Sequence, residues 1–273
     1  MPVISTNTAA NSAVRYLNIN SQQMSSSLSK LSSGSKITQA SDDAAGLAIS
    51  TRISSDVTTL QQAATNASQA TSILQTADGG ASNISDILAR MKSLASQSSS
   101  ATVTDSSRAY LNSEFTALSD QIDSIATGTR YSGQSLLDGT SAFATGAAVL
   151  VGSSSADTIT VTLDDLTSTT LGVDTLDIST QAGATTAIDA LDTAIDKVSA
   201  ARATIGAQES RFNFSASSIS TQSQNLQAAN SAILDVDIAS EQAKLSSAQV
   251  KVQAAVAAES SANQMPQYLL KLL

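Results

Sequence analysis

The chain has 273 residues, enough for one large or two small domains, but only 3% are aromatic and there is no tryptophan, so a thick core is not expected. Histidine and cysteine are absent, which excludes Ser-His and Cys-His nucleophiles, His or Cys metal sites and disulfides. The formal charge is −9, and residues 99–198 carry thirteen carboxylates against Arg108, Arg130 and Lys197; no basic stripe suits nucleic acid, and the near-neutral ends can pack together.

In chain order, Val14, Leu17, Ser21, Met24, Leu28 and Leu31 alternate at spacings of 3 and 4, a heptad seam with one polar member. The residues around it are polar, so this helix needs a partner to be stable in water. Gly34 reads as a left-handed helix end and 35–41 as a polar connector. Ser41, Asp42 and Asp43 then supply an N-cap and first-turn carboxylates for a second helix. Ala44, Ala45, Gly46, Leu47 and Ala48 are small enough to admit another helix closely. The second seam runs through Ile53, Val57, Leu60, Ala64, Ala67, Thr71 and Leu74, with a predicted slip of phase at Asp78-Gly79-Gly80. It resumes at Ala81, Ile84, Leu88, Met91 and Ala95; the glycine pair is either a local irregularity or a point of close packing. Unbroken, such a helix would be on the order of 80 Å long.

Asp105 is expected to cap a third helix with the seam Leu111, Phe115, Leu118, Ile122 and Ile125, ending at Gly128. The β-branched stretches 149–151 and 158–163 bracket 152–157, a hairpin signal within a small β region at 129–185. From Ile188 a long seam takes Leu191, Ile195, Val198, Arg202, Ile205, Glu209, Phe212, Ala216, Ile219, Ser223, Leu226 and Ile233. Arg202 and Glu209 would be its register-setting polar members. A last run over 238–262 is rich in Ala and Gln and contains Val252; Pro266 is expected to interrupt it before Leu269, Leu270, Leu272 and Leu273. The expected fold is mainly α. A long antiparallel helical rod, or coiled-coil bundle, is formed by the N- and C-terminal halves, with a small β-hairpin region at the turn. Residues 1–41 with 234–273 make one terminal coiled-coil domain and 42–233 a helical rod domain.

Several stretches together carry a resemblance. They are STNTAA at 5–10, LSSGSKITQASDDAAGLAIS at 31–50, TRYSG at 129–133 and LLDG at 136–139. To these add Ser231-Ala232-Ile233 with Asp235 and Asp237, Gln253-Ala254-Ala255, and Ala262-Asn263-Gln264-Met265-Pro266 before the closing leucines. They resemble the bacterial flagellins at both ends and in the right order, although Ala232 stands where that family usually has arginine. The resemblance implies a self-assembling, non-enzymatic filament subunit without a cofactor, of a short form in which Gly183 leads almost directly into the returning helix. It implies a helical homopolymer whose core is built from Val14, Leu17, Met24, Leu28, Leu31, Val252, Leu269, Leu270, Leu272 and Leu273. It also implies an export chaperone, a filament cap and hook–filament junction proteins as partners, and an extracellular flagellar location.

Residues 1–20 lack the basic and apolar regions of a cleaved signal peptide, so export is expected to proceed without one. No apolar run is long enough to span a bilayer, and membrane insertion is not expected. By resemblance, Arg90 and Leu94 with Glu114 match the family's contact pattern for an innate-immune toll-like receptor; the plain alternative is that Leu94 packs and the charges are solvated. Asp235, Asp237 and Glu241 read as helix-start carboxylates, not metal ligands, because no Gly-bearing calcium loop surrounds them. The rival reading is a non-polymerising secreted helical protein, such as a hook–filament junction protein or a type III translocator, since paired terminal heptads are common to all of these.

Overall fold

A computed structural model describes residues 7–270, with side chains for 7–265. It is mainly α. The helices are α1 (Thr8–Ser33), α2 (Ala44–Ser99), α3 (Asp105–Gly128), the single turns α4 (Ala142–Thr145) and α5 (Ser168–Leu171), α6 (Gln181–Leu234) and α7 (Ile238–Leu270). Two antiparallel strand pairs interrupt them, β1 (Arg130–Tyr131) with β2 (Gln134–Ser135) and β3 (Ala147–Leu150) with β4 (Thr158–Val161). Chain contacts divide it into two compact units, 1–57 with 224–273 and 58–223, so the division falls inside α2 and α6.

In the 58–223 unit, α2, α3 and α6 share one hydrophobic core. The pairs Lys92–Asp192 and Asp78–Arg202 set α2 antiparallel to α6, and Arg90–Glu114 with the Arg108–Ser98 hydrogen bond sets it antiparallel to α3. The buried face of α2 is Leu60, Ala63, Ala67, Ala70, Leu74, Ala77, Ala81, Ile84, Leu88, Met91, Ala95 and Ser98, an unbroken alternation of 3 and 4. The expected phase slip at Gly79-Gly80 is therefore absent. It arose from placing Ala64 and Thr71 in the seam, where Ala63 and Ala70 are the buried pair. On α6 the face is Ala184, Ala187, Leu191, Ala194, Val198, Ala201, Ile205, Gln208, Phe212 and Ile219. Arg202 and Glu209 lie beside that seam, not in it. Arg202 reaches Asp78 at 2.8 Å, while Gln208 is the buried polar member. Its amide accepts from the Thr162 N–H at 3.1 Å and donates to the Thr162 carbonyl at 2.9 Å, which fixes β4 against α6.

The expected hairpin pairs Leu150 with Thr158 and Ala147 with Val161. The shorter β1–β2 pair turns through Ser132 and Gly133, both at positive φ, the geometry of a type I′ turn. Thr104, not Asp105, caps α3, its hydroxyl accepting from the Ser107 N–H; Asp105 is the first helical residue and pairs with Arg108. At the other boundaries, α1 ends as expected on left-handed Gly34. Helix α2 begins two residues later than Asp42, at Ala44, with Asp43 accepting from the Gly46 N–H at 2.9 Å. No carboxylate sits in its first turn, because Asp42 turns back to the connector. The space above Gly46 is filled by Ile37 and Asp43, so the connector, not another helix, makes the close approach there. Pro266 does not end α7, which runs on to Leu270; a single missing N–H in a 33-residue helix leaves the neighbouring bonds in place.

The two central glycines of α2 differ sharply. A methyl group at Gly80 would lie 2.5 Å from Thr129 Oγ1 and 2.8 Å from Leu137 Cδ1, whereas nothing lies within 4 Å of one at Gly79. Gly80→Ala should therefore destabilise by about 1–3 kcal/mol through overpacking. Gly79→Ala should stabilise by roughly 0.5–1 kcal/mol through helix propensity. Denaturant melts of the two variants should move the midpoint in opposite directions.

Candidate functional site

The 1–57/224–273 unit brings together the two ends of the chain. Helix α1 packs on α7 through Ala10, Ala13, Leu17, Asn20, Met24, Ser27 and Leu31, and α7 answers with Glu241, Leu245, Ala248, Val252, Ala255, Glu259 and Ala262, both at alternating 3 and 4 spacing. One large and one small heptad position recur on each helix. Asn7 accepts from the Ala10 N–H at 3.0 Å as the α1 cap and donates to the Ala262 carbonyl at 2.8 Å, fixing the antiparallel register at one end.

At the other end Ser27 bonds the carboxylate of Glu241, which is 6% exposed. Lys244 donates to that carboxylate at 2.9 Å, and Lys30 adds its charge. The Ser27 hydrogen bond first, then the Lys244 bond, outweigh burial and hold the Glu241 carboxyl below its ordinary range. Next to this contact the two connectors clasp. Lys36 N–H donates to the Leu234 carbonyl at 2.5 Å, Val236 N–H donates to the Gly34 carbonyl at 3.1 Å, and Ser35 faces Asp235 in an antiparallel bridge. Asp42 accepts from the Thr38 N–H and hydroxyl, which lower its pKa, while Asp237 caps α7 through the Ser240 N–H. Asp235 accepts from the Ser231 hydroxyl. The carboxylates before and within the first turn of α7 are thus helix-end and connector groups, and no metal-holding cluster exists among the described residues.

Of the expected assembly residues, Leu17, Met24, Leu31 and Val252 are half-buried between α1 and α7. Val14 and Leu28 are not in that contact and remain 38% and 58% exposed. The sequence pattern had joined 14, 21 and 28 to 17, 24 and 31, but the packed partners of the latter are the smaller Ala13, Asn20 and Ser27. Leu272 and Leu273 lie outside the described residues, as do the side chains of Leu269 and Leu270. In the other unit, Arg90 and Glu114 meet on the surface, with Arg90 Nη2 donating at 2.7 Å. Leu94 does not join them, being 1% exposed in the core.

Sequence reasoning missed Arg108, Gln208 and the Ser27–Glu241 contact. Arg108 is buried and donates to the Ser98 and Ser100 carbonyls at 2.8 and 2.9 Å, closing the C-terminal end of α2. An arginine thirteen residues beyond Ala95, the last apolar seam position, was the only available signal. No described helix is long and apolar enough to cross a membrane.

Residues 4–142 match the family model of the bacterial flagellin N-terminal helical region, and 188–273 match that of the bacterial flagellin C-terminal helical region. The chain is 37% identical over 273 residues to a flagellin of Halalkalibacterium halodurans, covering 99% of each. It is similar to the crystal structure of Bacillus cereus flagellin, with 34% identity and a TM-score of 0.52 over 61% of this chain and 94% of that one. A putative flagellar hook-associated protein from Vibrio parahaemolyticus superposes with a TM-score of 0.59 over 70% of this chain and 99% of that one, but at 14% identity it shares only the fold.

Because the folded-state pKa of Glu241 is depressed, its stabilisation is fully present above the ordinary glutamate value of 4.5 and is lost as pH falls through the lower folded value. Amide exchange followed as a function of pH checks this. Protection in α1 and α7 should fall with acid below that value, and Glu241→Gln should flatten the fall.

Proposed function

The chain belongs to the bacterial flagellin family and is a structural subunit of the flagellar filament, not an enzyme, and from there we propose how its parts divide that work. Residues 1–41 with 234–273 form the filament core and 42–233 the portion outside it. The rival, a non-polymerising secreted protein, is not favoured by a full-length match at 37% identity to a flagellin.

The observation that carries the assignment is the state of α1 once it has paired with α7. Val14 and Leu28 stay exposed although their helix already has its intramolecular partner. Fully burying such a side chain is worth about 1.5–3 kcal/mol, and a neighbouring copy is what a filament supplies to bury it. Leu17, Met24, Leu31 and Val252 hold the pair together, and the closing leucines Leu269, Leu270, Leu272 and Leu273, four large apolar residues within five positions of the sequence, are assigned to assembly. The chain is exported to the extracellular flagellar filament, with an export chaperone, the filament cap and the hook–filament junction proteins as its further partners. A toll-like receptor reads the Arg90–Glu114 surface, with Leu94 supporting it from beneath.

The double variant Val14→Ser, Leu28→Ser should keep the far-ultraviolet helix signal and thermal melt of the monomer, because neither side chain is in the α1–α7 contact. It should fail to form filaments when a kosmotropic salt is added, as read by negative-stain microscopy. Replacing the four closing leucines by serine should have the same effect. Filaments of normal length from either variant would refute this division of labour.

A further inference from the structure

The chain has only eight aromatic residues, four Tyr and four Phe, yet two of those in the 58–223 unit face outward. Tyr110 on α3 is 79% exposed and Phe214 on α6 is 78% exposed. Phe115 and Phe212, on the same two helices, are buried in the core, so Tyr110 and Phe214 are surplus to the fold. Aromatic side chains standing in water at so aromatic-poor a surface are what interfaces use as anchors.

Ser215, the chain neighbour of Phe214, lines an open groove of about 390 Å³ between the β3–β4 hairpin and α6. Val151, Ile159 and Ile219 give it apolar lining, and the exposed Ser218 and Gln222 stand along one side. Arg211, Ser215, Ser218 and Gln222 follow one face of α6 at spacings of 4, 3 and 4, and Arg211 is exposed without an ion pair among the described residues. On α3, Tyr110 and Glu114 are likewise one turn apart, and Glu114 is held only by a half-exposed pair with Arg90, the kind worth little in water. An aromatic ring followed by a carboxylate on one helix therefore matches an apolar groove followed by a guanidinium on another.

The two surfaces cannot meet within one molecule. Along α2, the level of Glu114, one turn from Tyr110, is marked by Arg90 and that of the groove by Asn66, which donates to the Leu150 carbonyl. At about 1.5 Å per residue they are roughly 35 Å apart. We propose that they are the two halves of one contact between copies: Tyr110 of one subunit lodges in the groove beside Phe214 of the next, and its Glu114 reaches that subunit's Arg211. Different patches meeting head to tail give an open helical array, not a closed dimer. The contact rests on the filament reading and deepens it by naming a subunit surface outside the α1–α7 pair.

The absence of cysteine permits a clean test in the full-length chain. Ser113→Cys and Ser218→Cys each sit one turn from an anchor and leave Tyr110 and Phe214 in place. Copies carrying one or the other, mixed and polymerised with excess unmodified chain, should give a disulfide-linked heterodimer on mild oxidation, in filaments and not in dilute monomer. Ser113→Cys mixed with Ser199→Cys, roughly 28 Å further along α6, should give none. Separately, Tyr110→Ser should raise the critical concentration for polymerisation tenfold or more without lowering the monomer's melting temperature. Normal filaments without the 113–218 heterodimer, or an unchanged critical concentration for Tyr110→Ser, overturn the contact alone. An unmodified chain that never polymerises overturns the contact and the filament reading together.

Discussion

Two helices approach closely only where small side chains face each other, and α1, α6 and α7 meet that constraint by alternating large and small seam positions through much of their length. On α6 the large set is Leu191, Val198, Ile205, Phe212 and Ile219, and the small set is Ala187, Ala194 and Ala201. On α7, Leu245 and Val252 alternate with Ala248, Ala255 and Ala262; on α1, Leu17, Met24 and Leu31 alternate with Ala13, Asn20 and Ser27. With almost no aromatic residues to fill space, wide spacing would leave voids, each forfeiting contacts along its whole lining. Close spacing through alanine is the available way to reach a dense interior, and Gly80 lets Thr129 and Leu137 approach α2 closely.

Small, repetitive seams pack well but discriminate poorly, since a shift of one heptad replaces alanine with alanine. Buried polar groups supply the missing register. Gln208 grips both backbone groups of Thr162, Arg108 closes the end of α2, and Ser27 with Glu241 fixes α1 on α7. Each is satisfied by specific partners, and a slipped register would leave it buried and unpaired at a cost of about 1–3 kcal/mol. The surface ion pairs Arg90–Glu114 and Lys92–Asp192 contribute much less, being half-exposed to water.

The same economy of large side chains explains how a subunit of this family can be both folded and ready to polymerise. Tyr110 and Phe214 apart, the 58–223 unit puts its large apolar residues into its own core, and the 1–57/224–273 unit does not: Val14, Ile19, Leu28, Val250 and Val256 are left exposed beside a seam made largely of small residues. A pair buried so thinly gains stability when a neighbour covers the remainder, because whatever binds the folded form draws the equilibrium toward it. On the division of labour proposed above, self-polymerisation completes a hydrophobic interior that one chain leaves open.

The sequence alone determined that the chain is helical, that its ends pair, where the β3–β4 hairpin lies and which family it belongs to. Those properties reside in local patterns: Gly34 at a helix end, β-branched runs around 152–157, and apolar residues recurring every seven residues. It could not determine the second seam position. Leu17, Leu60 and Leu191 announce one line of each helix, but the other line is alanine or serine, and those residues occur on every face of every helix here. Reading by size put Val14, Leu28 and Ile195 into seams that Ala13, Ser27 and Ala194 occupy, and cast Arg202 and Glu209 as buried polar residues in place of Gln208. Only packing decides between neighbouring small and large residues, because the choice depends on how near the facing helix comes, and that distance is a property of the pair.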